Sequence, residues 1–247
     1  MCILPSYNYL SNISVDFVIT YVYNDIVKIN QKYSYIDYKR KTVDGSRHYV
    51  CGEETLPSVT TILDRTKDKT ALEEWANRIG KDNAERIKNE AANRGTKMHQ
   101  FLEDYFMKSK PIVEDANNIS SSMAQIVLGN IESKIDEIWG AEVKLYYPGK
   151  YAGTTDLVGV WEGKDCIIDF KQANKMKKEE WIDDYKLQMV SYANAHNEVY
   201  GTNIRHGVIS MCTQFLEYQE FYISPTTFDY YTKLWWERVE DFYKYHK

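Results

Sequence analysis

The stretch YAGTTDLVGVWEGKDCIIDFK (Tyr151–Lys171) constrains the fold more than any other part of this 247-residue chain. Its first half alternates, with Leu157, Val158 and Val160 apolar, and ends at Glu162-Gly163-Lys164-Asp165, a turn signal. Its second half, Cys166-Ile167-Ile168-Asp169-Phe170-Lys171, is a strand running back, so a β-hairpin is expected. Such a hairpin brings Asp156 and Asp169 together at one end. Two carboxylates that close repel each other, and both stay ionised only with a cation between them. Ile167 and Ile168 before Asp169, and Phe170 after it, mark a buried strand, where an unpaired carboxylate is costly. Lys171 lies on the same strand face as Asp169. Two acids and an amine converging on one point are the minimum for metal-assisted phosphodiester hydrolysis. Gly153 and the small Thr154-Thr155 leave space beside Asp156 for a ligand or a close backbone approach. Taken alone, Asp-x-Lys is common in strands and equally fits two turn-proximal acids and a surface lysine.

Three further constellations bear on the same chemistry. In Arg94-Gly95-Thr96-Lys97-Met98-His99-Gln100-Phe101-Leu102-Glu103, His99 and Glu103 stack on one helix face, and Gly95 lies one turn before His99. The segment fits either a tight helix contact with a hydrogen-bonded border histidine or a face approached by a ligand. In Trp181–Tyr192, Tyr185, Gln188 and Tyr192 share a stripe that continues to Ala195, which fits a helix lining a polar site or an ordinary amphipathic helix with a buried tyrosine. Lys171, Lys175, Lys177 and Lys178 form a basic run directly after the hairpin, where a phosphate backbone would lie, or a solvated loop.

Around these segments the pattern predicts a mixed α/β chain. Residues 1–30 read as strand-rich, and 33–51 as a hairpin with strands Tyr33–Tyr38 and His48–Cys51 about a turn near Asp44-Gly45. Ser58 caps a short helix, Val59–Leu63. Residues 70–107 read as helix broken near Gly80, with Ala84, Ile87, Ala91, Met98, Leu102 and Tyr105 as a core-facing stripe. A helix over 122–139, a strand Glu142–Tyr147, the hairpin, a helix Trp181–Tyr200, strands Arg205–Cys212 and Leu216–Ile223, and a closing helix Ser224–Tyr245 complete the order. That order implies a mixed central sheet flanked by helices. The expected division is a strand-rich extension over 1–47 and one domain over 48–247 that ends in the closing helix.

Composition is globular, with 43% hydrophobic and 14% aromatic residues. The net charge of −5 gives a polyanion partner no overall support, although a local basic groove fits inside an acidic total. Cys2, Cys51, Cys166 and Cys212 show no Cys-x-x-Cys spacing, so neither a zinc site nor an iron–sulfur cluster is expected. Scattered cysteines without a secretory signal suggest a reducing, cytoplasmic setting. The N-terminal segment is interrupted by Asp16 and Asp25, so no membrane span is expected there.

Four motifs in order, Gly95-x-x-x-His99, Gly153-x-x-Asp156, Asp169-Phe170-Lys171 and Gln188-x-x-x-Tyr192, resemble the PD-(D/E)XK nuclease superfamily and its RecB-like exonuclease branch. The stretch Leu56–Leu63 (LPSVTTIL) resembles a segment of phage exonucleases and of mitochondrial genome maintenance exonucleases. The resemblance covers about 48–223. It implies a restriction-endonuclease-like core and a divalent metal, Mg²⁺ or Mn²⁺, held by His99, Asp156, Asp169 and the Phe170 carbonyl. Glu142 matches a common acidic position and would support that ion or hold a second one. Lys171 would orient or activate the attacking water, and Gln188 and Tyr192 would shape the site and contact the DNA end. Arg94, Thr96, Lys175, Lys177, Lys178 and Tyr185 are the expected nucleic-acid contacts. The implied activity is a DNA exonuclease acting on single strands or free ends in phage or bacterial recombination, repair or DNA processing. An endonuclease of the same fold and a non-catalytic DNA-binding module are the alternatives. Residues 1–30 are left as an extra sheet edge, a protein-partner arm or a lid.

Overall fold

The computed structural model describes residues 28–113, 115 and 117–245. Its centre is a six-stranded sheet in the order β1-β5-β6-β7-β8-β9. The strands are β1 (Lys28–Ile29), β5 (Ile135–Tyr147), β6 (Tyr151–Trp161), β7 (Lys164–Ala173), β8 (His206–Thr213) and β9 (Tyr218–Ile223). β1 runs parallel to β5 and β7 parallel to β8, and the other neighbours are antiparallel, so the sheet is mixed as expected. Parallel neighbours need a crossover, and α5 (Asp183–Tyr200) supplies it between β7 and β8. Strands β2 (Lys39–Val43), β3 (Ser46–Cys51) and β4 (Glu54–Pro57) make a second, antiparallel sheet, anchored to β6 through a Ser58↔Ala152 bridge.

Helices cover both faces, which is why β6 and β7 read as almost continuous apolar runs. One core packs α1 (Val59–Thr66), α5 and α6 (Pro225–Tyr245) on the sheet through Val59, Trp139, Val190 and Trp235. The other packs α3 (Lys81–Lys108) and α4 (Ile119–Ile131) through Met98, Leu102, Val127, Ile168 and Phe170. Helix α2 (Thr70–Ile79) precedes α3, and the break falls at Gly80, whose φ of +88° suits glycine. In α3 the expected stripe holds only in part. Met98, Leu102 and Tyr105 are buried, whereas Ile87 and Ala91 are half-buried.

The hairpin forms as read, with a tighter turn. Trp161 pairs with Lys164 across Glu162-Gly163, both at positive φ, so Lys164 and Asp165 already belong to β7. The Asp44-Gly45 turn is of the same kind, joining Val43 to Ser46. The strand before it is Lys39–Val43, not Tyr33–Tyr38. Tyr33 and Tyr35 instead pack their rings on Trp139, His196 and Tyr200 as an irregular strap. The helix expected over 122–139 is also corrected: α4 ends at Ile131 and the chain enters β5 at Ile135. Register shifts at Ile135/Glu137 and Ile138/Gly140 let Ile135 and Ile138, three residues apart, enter the same core, while Trp139 enters the core on the opposite face, so the helix-like spacing arises from a bulged strand buried on both faces. Ser58 caps α1 as expected, accepting from Thr61 N at 3.0 Å. The division anticipated at 47/48 falls inside β3. Residues 1–27, and most of the strand-rich extension with them, lie outside the described residues. Among the described residues no helix is long and apolar enough to cross a membrane.

Candidate metal centre

The pairing of β6 with β7 stops at Leu157↔Ile168, after which β7 continues only along β8. The two strands part at this point, and Asp156 and Asp169, the next residues, face each other at the fork. Asp156 spans it by accepting the Phe170 N–H at Oδ2, 2.6 Å away. On the other side, Ala141↔Leu157 and Val143↔Thr155 place Glu142 opposite Asp156. Glu142 has a φ of +50°, an uncommon conformation for a residue other than glycine. His99 comes from the buried half of α3 and directs Nδ1 to Asp156 Oδ1 at 3.1 Å. Ligand atoms of His99, Glu142 and Asp156 all lie within 4.8 Å of one another.

Asp169 is 2% exposed and forms an ion pair with Lys171. The Lys171 ammonium sits directly on Asp169 Oδ2. A buried carboxylate beside an imidazole and two more carboxylates is a hard, oxygen-rich donor set that fits a divalent cation, with Mg²⁺ and Mn²⁺ the matching chemistry.

Five acids and bases shift one another's protonation here. Burial, then repulsion from Asp156, pushes Glu142 up to about 7. Burial likewise lifts Asp169 to about 6, with Lys171 opposing and Asp156 adding to the rise. Burial would also raise Asp156, but His99, Lys171 and the Phe170 N–H outweigh it and hold its carboxyl below the usual range. His99 is raised: burial disfavours its charge, and the Asp156 carboxylate more than compensates. Lys171 is raised in the same way, since Asp169 and Asp156 outweigh its burial, which keeps it an ammonium.

Helix α5 brings Gln188 and Tyr192 to the cavity beside Asp156. Tyr192 accepts a hydrogen bond from Gln188 Nε2 at 2.9 Å, and Tyr185 sets its ring 5.2 Å from Lys171 Nζ. Gly153 is explained by this helix, because a Cβ there would stand 2.5 Å from Tyr192 Cε1 and 3.3 Å from Val59 Cγ2. Gly95 faces β7, with Gln172 Cβ 3.6 Å from where its own Cβ would be. Arg94 is tied to Gln172 Oε1 and Asn174 Oδ1, at 3.2 and 2.5 Å, and so braces the start of the lysine loop. Thr96 is exposed on α3. Lys175 and Lys178 lie over Trp181, and Lys177 is held through its backbone by Gln219.

A cavity of about 150 Å³ opens beside Asp156, lined by Arg40, Arg47, Ser58, Thr60, Glu142 and Gln188 among others. Arg40 Nη2 donates to Thr154 Oγ1 at 3.2 Å, and Tyr49 Oη meets the same oxygen at 2.9 Å. Sequence reasoning missed both arginines. They sit on the small sheet, over a hundred residues before Thr154, and carry no motif. The LPSVT stretch was the available signal, since its Ser58 and Thr60 line the same cavity.

A mixed sheet whose fork gathers an imidazole, three carboxylates and an ammonium matches the class of site that the four motifs define, and the chain resembles exonucleases of the PD-(D/E)XK type. It is 27% identical over 167 residues to mitochondrial genome maintenance exonuclease 1 of Homo sapiens, spanning 62% of this chain and 48% of that protein. The Mus musculus counterpart is 28% identical over 172 residues, 63% of this chain and 49% of that one. The chain thus spans about half the length of the curated relatives it matches. No family model matches it. The solved structure of SSO0001 aligns over 80% of each chain with 16% identity and a TM-score of 0.40.

Proposed function

We propose that this chain is a metal-dependent DNA exonuclease that hydrolyses phosphodiester bonds in single strands or at free ends, in phage or bacterial recombination, repair or DNA processing. The observation that carries the reading is the convergence of His99, Glu142 and Asp156 beside a buried Asp169 paired with the Lys171 ammonium. His99, Asp156 and Asp169 would hold Mg²⁺ or Mn²⁺, with the Phe170 carbonyl and Glu142 adding oxygen ligands. A bound divalent ion supplies Lewis acidity toward a phosphate oxygen and a water acidic enough to attack near neutral pH. Lys171, charged and aimed at Asp169, orients water and offsets charge building on the phosphate. Arg40 and Arg47 bring two guanidiniums to the cavity beside Asp156, a matched pair of donors for phosphate oxygens. Gln188 and Tyr192 wall the same cavity and would contact the DNA end, with Arg94, Thr96, Tyr185 and the lysines beyond them. The name of the mitochondrial relatives supports an exonuclease. A cytoplasmic setting, a nuclease domain over 48–247 and a partner role for residues 1–30 complete the proposal.

The test is degradation of end-labelled single-stranded DNA with Mg²⁺ or Mn²⁺. Product accumulation is expected, with loss of at least a hundredfold in Asp169→Ala and Lys171→Ala, about the range seen when one charge-stabilising group is removed. Activity retained in both variants would sink the assignment. A covalently closed single-stranded circle separates the exonuclease from an endonuclease, since only the latter cuts it. Metal-independent DNA binding with no cleavage of any substrate would instead favour the non-catalytic module.

A further inference from the structure

The loop between β7 and α5 carries an aromatic side chain that the metal centre does not use. Trp181 ends the 3₁₀ turn Glu179–Trp181 and is 49% exposed. Single exposed apolar side chains are ordinary on protein surfaces, so exposure alone marks nothing. Here the ammonium groups of Lys175 and Lys178 each lie 5.4 Å from the Trp181 ring centroid. Of the neighbouring acids, Glu179 pairs with Lys186 at 2.8 Å and Glu180 with Lys178 at 3.8 Å, and among the described residues Lys175 has no ion pair.

The loop is also held firmly. Gln219 accepts from Lys177 N at 2.7 Å and donates to Lys177 O at 2.9 Å, and Gln214 N donates to Ala173 O at 3.0 Å. Arg94 grips Asn174 from α3. A pinned ring loses little freedom when something stacks on it. Trp181 lies in the 3₁₀ turn just before α5, four residues ahead of Tyr185, whose ring lies 5.2 Å from Lys171 Nζ.

We propose that Trp181, flanked by Lys175 and Lys178, is a stacking platform for an unpaired base of single-stranded DNA, on the loop that leads from β7 and the metal centre into α5. The inference rests on the nuclease reading and deepens it, because it makes the substrate a single strand. An exposed aromatic ring with ammonium groups over it is the combination that binds single strands without reading sequence: a base takes the ring face as the ammonium groups move onto the flanking phosphates. A duplex base already stacks on both sides and cannot offer a face without being extruded.

The experiment compares wild type, Trp181→Ala and Trp181→Phe, each with its thermal transition checked. Binding of a fluorescent 20-nucleotide oligothymidine and of a 20-base-pair blunt duplex is measured by anisotropy with Ca²⁺. Expected is a loss of about tenfold in oligothymidine affinity for Trp181→Ala, near-complete retention in Trp181→Phe, and less than a twofold change on the duplex. Lys175→Ala with Lys178→Ala should flatten the salt slope on the oligonucleotide by about 1.4. Oligothymidine affinity within twofold of wild type in Trp181→Ala, no wild-type affinity for it, or an equal loss on the duplex would overturn the platform. Cleavage with Mn²⁺ is scored separately. Trp181-dependent binding without cleavage refutes hydrolysis and keeps the platform, whereas cleavage with Trp181-independent binding refutes the platform and keeps the nuclease.

Discussion

Gly153→Ala adds one methyl group at the wall of the site, and the structure sets what it meets. The new Cβ would stand 2.5 Å from Tyr192 Cε1, against about 3.5–4.0 Å for ordinary carbon contacts. The Tyr192 ring must therefore move by about 1 Å, while Val59 Cγ2 at 3.3 Å blocks retreat on the other side. Tyr192 is 2% exposed and hydrogen-bonded to Gln188, so moving the ring strains that bond and pushes it toward the cavity it walls. Overpacking of this kind costs about 1–3 kcal/mol. Because Gly153 is not at positive φ, alanine also stiffens the unfolded chain and returns about 0.4–1 kcal/mol. The net expectation is a loss of about 1–2 kcal/mol, or a Tm lower by roughly 3–6 °C. Urea and thermal unfolding followed by circular dichroism measure it. A double-mutant cycle with Tyr192→Ala isolates the clash: alanine at 153 should cost about 1–2 kcal/mol less once the ring is gone. Unchanged stability in Gly153→Ala, or strict additivity with Tyr192→Ala, would refute the idea that the glycine of this motif exists to admit the tyrosine.

Mn²⁺ affinity, measured by calorimetry, should rise about tenfold between pH 6 and pH 7 for each ligand still protonated there, because Glu142 near 7, Asp169 near 6 and the raised His99 must shed protons to bind an ion; a flat profile would contradict the cluster. Glu142→Gln removes a carboxylate whose pKa is raised by burial and Asp156, so at pH 8 the metal-free variant should unfold at higher temperature than wild type while binding Mn²⁺ at least tenfold more weakly. His196 is fully buried between Tyr35 Oη at 3.0 Å and Thr202 Oγ1 at 2.8 Å, so Tyr35→Phe should cost about 1–3 kcal/mol in urea unfolding by orphaning a ring nitrogen. Burial depresses His196 to about 4, so the neutral ring's contribution is present above the unfolded pKa of about 6.5 and is lost as pH falls from there toward 4; His196→Phe should unfold with a shallower pH dependence across that window.

Much of the candidate site was legible because its key spacings are local. The hairpin, its turn and the Asp169-x-Lys171 alternation follow from period-two patterning and turn chemistry alone, and the Gln188–Tyr192 pair follows from helical periodicity. The misread elements failed for physical reasons. Ile135, Ile138 and Trp139 sit at helical spacing because a register shift in β5 puts Ile135 and Ile138 in one core while Trp139 fills the core on the other face, features fixed by the pairing with β6 and by helices on both sides. Tyr33 and Tyr35 look like strand residues, yet the aromatic pocket around His196 holds them without a partner strand.

By itself, the sequence determined a mixed α/β chain, an acid pair at the end of a hairpin, and a histidine and a polar helix face of uncertain use. Only the tertiary structure decided that His99 crosses to Asp156, that Glu142 turns into the same cluster through an unusual backbone angle, and that Arg40 and Arg47 close the cavity from a separate small sheet. Local patterning reports which face a residue occupies. Which faces meet depends on strands parting at Leu157↔Ile168 and on helices packed from both sides, and those are properties of the whole assembled sheet.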